Sequence, residues 1–401
     1  MLKKKTLALF LSFTLLLGVT SCKKEEDSSP KMVETVATVA QTPETTEAVP
    51  ETSETEPVPV ELEDPLYDPS IPFLVNPMTG VQDMDPANEG KRSVGVVINN
   101  CAAALPQRGV SQADAIYEYE TEGGQTRLLA MFADVNSIPE MGSLRSARIV
   151  ASDLCASTNS IFIHYGRNAR VPDHIAKYGM DHIDGNNCSA GSYNSKNYDD
   201  GYVPLSGGLF FWRDSTWLSQ RALEHTAVSD GRHIAEGIEH YGIELEGESP
   251  FLFNFVADNS VDIAERGEPC SKINVYFSAT NDDALFTYDP ETNLYYKSQY
   301  EGKPQIDETT GEQIAVTNVV VLFCHVLRNA DGYTLDYYLQ DGTGALYISN
   351  GKLVQCTYEK KNPNDPIKLY NLDGEELEVN RGKSYICAVN SDRVHLTSWE
   401  A

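Results

Sequence analysis

The stretch between residues 23 and 70 most constrains the fold, because it cannot contribute to a hydrophobic core. It consists mainly of Glu, Thr, Pro, Val and Ser, and it contains 13 acidic residues against three lysines. Such a segment buries too little apolar surface to offset the entropy that is lost on ordering, so it is predicted to be disordered. The folded part therefore has to be built from residue 71 onward.

The residues before this stretch have the pattern of a secretion signal that ends in a modified cysteine. Three lysines precede an apolar run at 7–19, which is too short for a permanent membrane-spanning helix. The run ends in Val19-Thr20-Ser21-Cys22, which resembles the bacterial lipobox. The alternative is an ordinary secretory signal that happens to contain a cysteine. The lipobox predicts a signal peptide at 1–21, a diacylglycerol on Cys22 that anchors the chain to the extracytoplasmic face of the membrane, and an acidic tether at 22–70.

The formal net charge of −28, from 59 acidic and 31 basic residues, limits the partners of the folded part. The summed field repels nucleic acid and anionic membrane surfaces, so neither is expected as a general partner. An anion can bind only where a local group of basic side chains overcomes this field.

The cysteines give no sign of a metal centre. Seven remain after lipidation of Cys22, and no two of them form a Cys-x-x-Cys pair, which disfavours a zinc ribbon or a thioredoxin-like motif. Cys155, Cys324 and Cys387 lie in apolar stretches and are predicted to be small core residues. No spacing of histidines and acids matches a metal template, so the sequence predicts neither a metal site nor a cofactor.

Hydrophobic patterning predicts two domains joined by a linker at 246–269. In the first domain, at 71–245, strands at 93–99, 115–120, 126–133 and 160–164 alternate with helices at 146–158, 171–178, 216–223 and 231–241. This mixture indicates an α/β or α+β domain. In the second, at 270–401, predicted strands lie at 273–277, 294–300, 318–326, 335–339, 345–349 and 352–358, the last two joined by an Asn350-Gly351 turn. This part is predicted to be a smaller all-β domain.

The densest cluster of basic residues lies at 142–148, where Arg145 and Arg148 are three positions apart. If the helix starts here, with Ser143 or Ser146 as its N-cap, the two guanidinium groups lie beside a helix N-terminus and form an anion site. The alternative is that both arginines pair with carboxylates, which are plentiful in this acidic chain.

Several other polar residues are candidates for the same site. His164 closes a predicted strand, and His225 ends a short predicted helix, so both are candidates for acid–base chemistry or ligand contact. Arg213 and Asp184 belong to the same candidate polar set. Glu118, Glu120 and Glu122 share one strand face. A solvated face is expected for Glu120, whereas Glu122, close to Arg127, is a candidate for orienting the arginines.

These residues, in this order, resemble the YerB-like lipoproteins, a bacterial family of unknown function. The matching stretches are residues 76–80, 111–114, 122–127, 142–148, 162–166 and 211–214 with His225, followed by 309–311, 318–321, 342–344 and 351–352. One departure lies at Asn99-Asn100-Cys101, where family members usually carry an aspartate–asparagine–histidine-like run. The resemblance implies a two-domain lipoprotein of the cell envelope and supplies no reaction.

Two classes of function remain open. In the first, the protein binds an anionic envelope ligand such as a peptidoglycan fragment through Arg127, Arg145 and Arg148, or acts as an envelope scaffold with a protein partner. In the second, it is a hydrolase or transferase, with His164 or His225 as acid or base and the arginines stabilising negative charge. No recognised nucleophile or metal motif is present, which favours binding.

Overall fold

The computed structural model describes residues 66–186, 210–257, 259–280, 284–342 and 344–401, all within one compact unit, Glu61–Ala401. The predicted signal peptide, Cys22 and nearly all of the predicted tether lie outside the described residues, as does Cys188. None of the helices in the described part combines the length and apolar composition needed to cross a bilayer.

The first part of the chain contains short strands and four short helices within the described residues. The strands are β1 (Leu74–Val75), β2 (Gln82–Met84), β3 (Val94–Asn99), β4 (Ala115–Glu120), β5 (Thr126–Phe132), β6 (Met141–Gly142), β7 (Ile161–His164), β8 (His182–Asp184), β9 (Trp212–Arg213), β10 (Ala227–Ser229) and β11 (Phe255–Val256). The helices are α1 (Ile149–Ala156), α2 (Val171–Tyr178), α3 (Ser215–Leu218) and α4 (Gly231–His240). The predicted strands and three of the predicted helices of this region are therefore present, with shifted ends in several cases. The helix predicted at 216–223 is a single turn, Ser215–Leu218.

The second part of the chain is built almost entirely of strands. They are β12 (Glu268–Pro269), β13 (Lys272–Val275), β14 (Ala284–Asp289), β15 (Leu294–Gln299), β16 (Lys303–Pro304), β17 (Ala315–Val316), β18 (Asn318–Arg328), β19 (Leu335–Tyr338), β20 (Gly344–Ser349), β21 (Lys352–Glu359), β22 (Lys368–Tyr370), β23 (Val379–Asn380), β24 (Ser384–Asn390) and β25 (Ser398–Glu400). The predicted hairpin between β20 and β21 is confirmed, since Asn350 and Gly351 both have positive φ, as this two-residue turn requires. The strand-rich character predicted for this region is confirmed.

One large sheet runs through both parts of the chain. Its strand order in the described residues is β12-β21-β20-β18-β24-β4-β5-β3-β7-β8, with β19 and β22 on its margins. The junction is the parallel pairing of β24 with β4, in which Ser384 lies opposite Ala115 and Ala388 opposite Tyr119. A second sheet has the order β16-β15-β14-β13-β25, with β17 on β15. The domain boundaries stay predictions, but the two regions share a continuous hydrogen-bonded ladder.

Each face of the large sheet is covered by a different layer. One face packs against the second sheet and α4, as in the edge-to-face contact of Phe286 with Tyr385, whose ring centroids are 5.0 Å apart. The other face packs against α1 and α2. Gly95 in β3 allows α1 to approach closely, because a Cβ at this position would lie 2.7 Å from Cys155 Sγ. Residues 246–269, predicted as a linker, contain β11, β12 and a π-helical turn at Asp262–Arg266.

The acidic face predicted on β4 is not solvated. Glu118, Glu120 and Glu122 are all buried. Glu118 lies against Lys297 of the second sheet, whereas Glu122, in the turn after β4, pairs with Arg148. Glu120 binds Arg393, and Glu118 lies within a buried polar network. The expectation of a solvated Glu120 is therefore wrong. Three alternating acids do not indicate solvent when each meets a buried donor.

Candidate functional site

The segment at 142–148 is extended and bridges neighbouring strands. Asn99 N–H donates to the Ser143 carbonyl at 2.8 Å, Arg145 N–H to the Val97 carbonyl at 2.9 Å, and Ala147 N–H to the Gly166 carbonyl at 2.9 Å. A backbone that is committed to these bonds cannot start a helix, so α1 begins only at Ile149. The prediction of Ser143 or Ser146 as the N-cap is wrong, since Arg148 occupies that position without a side-chain cap bond.

A polar cleft of about 630 Å³ lies beside this segment. It is found at the carboxyl ends of the parallel strands β3, β7 and β8, where ligand sites of open sheets commonly occur. Its charged lining consists of Arg145, Arg167, Arg213 and Glu224. Arg167 and Glu224 were not identified from the sequence as site residues. The only sequence signal for Arg167 is its position just after the strand that ends in His164.

Arg145 and Arg213 both donate hydrogen bonds to the same turn, Leu223–His225. Arg145 Nη1 donates to the Glu224 carbonyl at 3.2 Å, and Arg213 Nη1 donates to the Leu223 carbonyl at 2.5 Å. Arg213 also lies over the Tyr165 ring, with its guanidinium carbon 4.5 Å from the centroid. Within the described residues, neither guanidinium group makes an ion pair with a carboxylate. Two cationic groups thus face one cleft with donors to spare.

The charges of the cleft influence one another. Burial lowers the pKa of Arg145, and the nearby Arg148 and Arg213 lower it further. The pKa of Glu224 is lowered as well, by a backbone hydrogen bond and by the positive charges of Arg145 and Arg213, which favour its ionised form. The excess of guanidinium groups gives this part of an acidic protein a local positive potential.

Arg148 does not line the cleft, because a carboxylate holds it elsewhere. Its Nε and Nη2 donate to the two carboxylate oxygens of Glu122 at 2.6 and 2.5 Å, and its Nη1 donates to the Ala147 carbonyl at 2.7 Å. Burial raises the pKa of Glu122, but the bonds and charge of Arg148 outweigh it and hold the pKa below its usual range. The alternative of a carboxylate-paired arginine therefore holds for Arg148 and does not hold for Arg145.

Arg127 lies beneath the segment at 142–148 and is also absent from the cleft lining. Its Nη1 donates to the carbonyl of Ser146, whose own surface faces the cleft. Burial lowers the pKa of Arg127 to about 9, and the charge of Arg148 contributes to this shift. Arg127 thus supports the segment that presents Arg145.

Asp184 positions Arg167 at the rim of the cleft. The Asp184 carboxylate accepts hydrogen bonds from Gly166 N–H at 2.7 Å and Asn186 N–H at 3.0 Å, and it forms an ion pair with Arg167. Asp184 is therefore a buried anchor, whereas Arg167 is partly exposed. The candidate polar residues at the ends of β7 and β8 serve to hold the cleft wall.

His164 is completely buried and does not reach the cleft. Its Nδ1 lies 2.9 Å from the Gly166 carbonyl, which can only accept, so Nδ1 carries the proton. Its Nε2 then accepts from His182 Nδ1 at 3.0 Å. With both nitrogens engaged, His164 is placed as a structural residue rather than as an acid or base.

The burial of His164 predicts a loss of stability in acid. Burial lowers the pKa of His164 from 6.5 to about 4, so the unfolded chain binds this proton at a higher pH than the folded chain does. The stability that depends on neutral His164 is complete above pH 6.5 and is lost as the pH falls toward 4. We expect a loss of roughly 2–3 kcal/mol in the free energy of unfolding between pH 7 and pH 4.

The measurement is denaturant unfolding at both pH values for the wild type and for His164→Asn. The variant keeps a donor toward Gly166 without the titrating ring, so its loss should be smaller by that amount. Taking the difference between the two proteins cancels the contribution of other titrating groups. One of these is Asp114, because burial raises its pKa to about 6. Equal losses in both proteins would show that His164 does not titrate on unfolding.

His225 lies beside the cleft, next to Cys101. Asn99 Nδ2 donates to His225 Nδ1 at 2.8 Å, and Cys101 Sγ is 3.9 Å from the same nitrogen. Cys101 is half-buried, whereas the other five cysteines of the described residues are buried. Because Nδ1 already accepts from Asn99, His225 is poorly placed to take a proton from Cys101. Nothing in the sequence pairs these two residues, which are 124 positions apart.

Comparisons with known proteins agree with this architecture. Residues 78–244 match the N-terminal domain, and residues 273–386 the C-terminal domain, of a family described as protein of unknown function DUF3048. The chain is 27% identical over 316 residues to YerB of Bacillus subtilis (strain 168), which is named as a lipoprotein. The match covers 77% of this chain and 84% of YerB. The crystal structure of YerB superposes with a TM-score of 0.65 and 24% identity, covering 81% of this chain and 99% of that one. The chain therefore belongs to the YerB-like DUF3048 family.

Proposed function

We propose that the protein is a membrane-anchored lipoprotein whose folded part binds an anionic ligand in the cleft formed by Arg145, Arg167 and Arg213. The anchor is a lipid on Cys22, on the extracytoplasmic face of the membrane. It is supported by the lipobox-like sequence at 19–22 and by the naming of the relative YerB as a lipoprotein. The folded part consists of an α+β region followed by a β-rich region, joined through the shared sheet.

One observation carries the ligand proposal. Arg145 and Arg213 converge on the turn Leu223–His225, and both are held there by carbonyl groups rather than by carboxylates. A guanidinium group that spends one N–H on a carbonyl keeps further donors for a planar anion. Paired arginines of this kind bind carboxylate or phosphate groups with charge-assisted bonds. A peptidoglycan fragment that carries carboxylates is a ligand of this chemistry within reach of an envelope protein.

The placement of the histidines supports binding over catalysis. His164 is buried with both nitrogens engaged, and His225 already accepts from Asn99. Within the described residues, no histidine lines the cleft. A hydrolase or transferase would require an acid or base that reaches the ligand, and the cleft offers guanidinium groups and Glu224 instead.

Removing both free guanidinium groups should abolish most of the affinity. We expect the variant Arg145→Gln/Arg213→Gln to bind muropeptides at least tenfold more weakly, because each lost charge-assisted bond is worth about 1.5–3 kcal/mol. The measurement is titration calorimetry at low and physiological salt, and the wild-type affinity should fall as salt screens the cleft. The matched control is Arg232→Gln, since Arg232 is 65% exposed and lies outside the cleft. Equal affinity of the wild type and the double variant would remove the cleft as the binding site.

A further inference from the structure

A second group of arginines lies behind the cleft and contains more positive than negative charge. Arg127 and Arg148 both lie near the Glu122 carboxylate, which accepts two short hydrogen bonds from Arg148. Within the described residues, Arg127 makes no ion pair, and its side chain donates to the Ser146 carbonyl. The Arg127 residue is only 8% exposed. A buried guanidinium group that makes no direct ion pair is costly, so its charge calls for compensation.

A buried hydroxyl group lies beside this charge and has no partner. Tyr119 on β4 and Arg127 on β5 are directly opposed in the antiparallel register, so their side chains lie on the same face of the sheet. The Tyr119 residue is 0% exposed, and its hydroxyl oxygen makes no hydrogen bond in the described part of the chain. Buried hydroxyl groups almost always make a hydrogen bond, so the Tyr119 O–H is a donor that lacks an acceptor. An unsatisfied hydroxyl group and a cation without a direct ion pair thus lie side by side on one buried face of the sheet.

We infer that this place binds a small monovalent anion, such as chloride, between the Arg127 guanidinium group and the Tyr119 hydroxyl. Both groups are donors, and the excess charge of two arginines over Glu122 is one, which matches a monovalent ion. The site is separate from the proposed ligand cleft, because neither Arg127 nor Tyr119 lines it. The bound anion would complete the support for the segment at 142–148, since Arg127 donates to Ser146 within it.

The test is thermal unfolding of the full chain in detergent at constant ionic strength, with chloride replacing gluconate. An anion that binds only the folded state raises the midpoint with the logarithm of its concentration. We expect about 2–4 °C for each tenfold increase in chloride above the dissociation constant. The effect should persist in Arg145→Gln/Arg213→Gln and should disappear in Arg127→Gln.

Tyr119→Phe provides a test that does not depend on removing a buried charge. The lost hydroxyl has no protein partner, so the variant should match the wild type in gluconate. Its chloride dependence should shift to concentrations about tenfold higher, because one donor to the ion is gone. Identical chloride responses of Tyr119→Phe and the wild type would overturn the site and indicate that water satisfies the hydroxyl. A response lost only in the cleft variant would place the anion in the cleft, which would overturn this inference and leave the proposed function standing.

Discussion

Replacing Lys297 with methionine is expected to lower the free energy of unfolding by about 3–5 kcal/mol, because it leaves Glu118 as a buried charge without its cation. Both side chains are 0% exposed, and Lys297 Nζ lies 3.4 Å from a Glu118 carboxylate oxygen. Burial lowers the pKa of Lys297, while the charge of Glu118 opposes that shift. The pair lies between β4 of the large sheet and β15 of the second sheet.

The surrounding polar groups make this pair a single network. Glu118 accepts from Asn100 at 2.9 Å, Thr126 at 2.7 Å and the Tyr385 hydroxyl at 2.6 Å. Lys297 donates to the side-chain carbonyl oxygens of residues Gln299 and Gln305 at 2.6 and 2.7 Å. Both carboxylate oxygens of Glu118 and the ammonium group of Lys297 thus have several partners. Truncating either side chain leaves buried polar groups of the network without a partner.

The measurement is urea unfolding of Lys297→Met beside Lys303→Met, a control in which the lysine is 74% exposed and pairs with Glu301. The control should leave the free energy of unfolding unchanged. The double variant Glu118→Gln/Lys297→Met should lose less than the sum of the two single variants, since neither charge then remains alone. Equal effects of Lys297→Met and Lys303→Met on the free energy of unfolding would show that the buried pair does not stabilise the contact between the two sheets.

Local pattern was sufficient to predict many individual elements. The strand Ala115–Glu120 and the helix Val171–Tyr178 have the bounds that the sequence predicts. In the helix, Pro172 lies in the first turn, and Gly179 ends it with a left-handed φ of 64°, so both of its ends are marked by local chemistry. Such signals act within a few residues, and a single sequence contains them in full.

Pairing between distant strands was not predictable in this way. The register of β24 with β4 joins residues about 270 positions apart, and neither strand carries a sign of its partner. The same limit explains the error at Glu120. An alternating strand shows which side chains share a face, but the cover of that face comes from a sheet formed by residues far away.

The prediction that a helix starts within the segment at 142–148 is wrong for a related reason. The serines of this segment suit the N-cap of a helix, yet its backbone bonds to β3 and to Gly166 keep it extended. The sequence therefore predicts a cluster of arginines here but cannot assign which of them lines the cleft. That assignment depends on Glu122 and on the turn Leu223–His225, both of which approach through the fold.

Arg148→Met and Arg145→Met should consequently have opposite consequences, although the two residues are three positions apart. Arg148→Met is expected to lower the free energy of unfolding by about 3–4 kcal/mol, since it leaves the buried Glu122 carboxylate without its bidentate partner. Arg145→Met should cost less than about 1 kcal/mol, because Arg145 bonds only to a carbonyl at the rim of a cleft. Denaturant unfolding of both variants measures this difference.

Ligand affinity should show the reverse order. At a temperature where Arg148→Met remains folded, it should bind muropeptides nearly as the wild type does, whereas Arg145→Met should bind several-fold more weakly. If Arg148→Met is less stable but binds normally, and Arg145→Met is stable but binds weakly, then Arg148 supports the fold and Arg145 contacts the ligand. If Arg148→Met instead lost affinity while remaining as stable as the wild type, the Glu122 pairing would have to open for ligand, and the binding site would extend behind the cleft to Arg127.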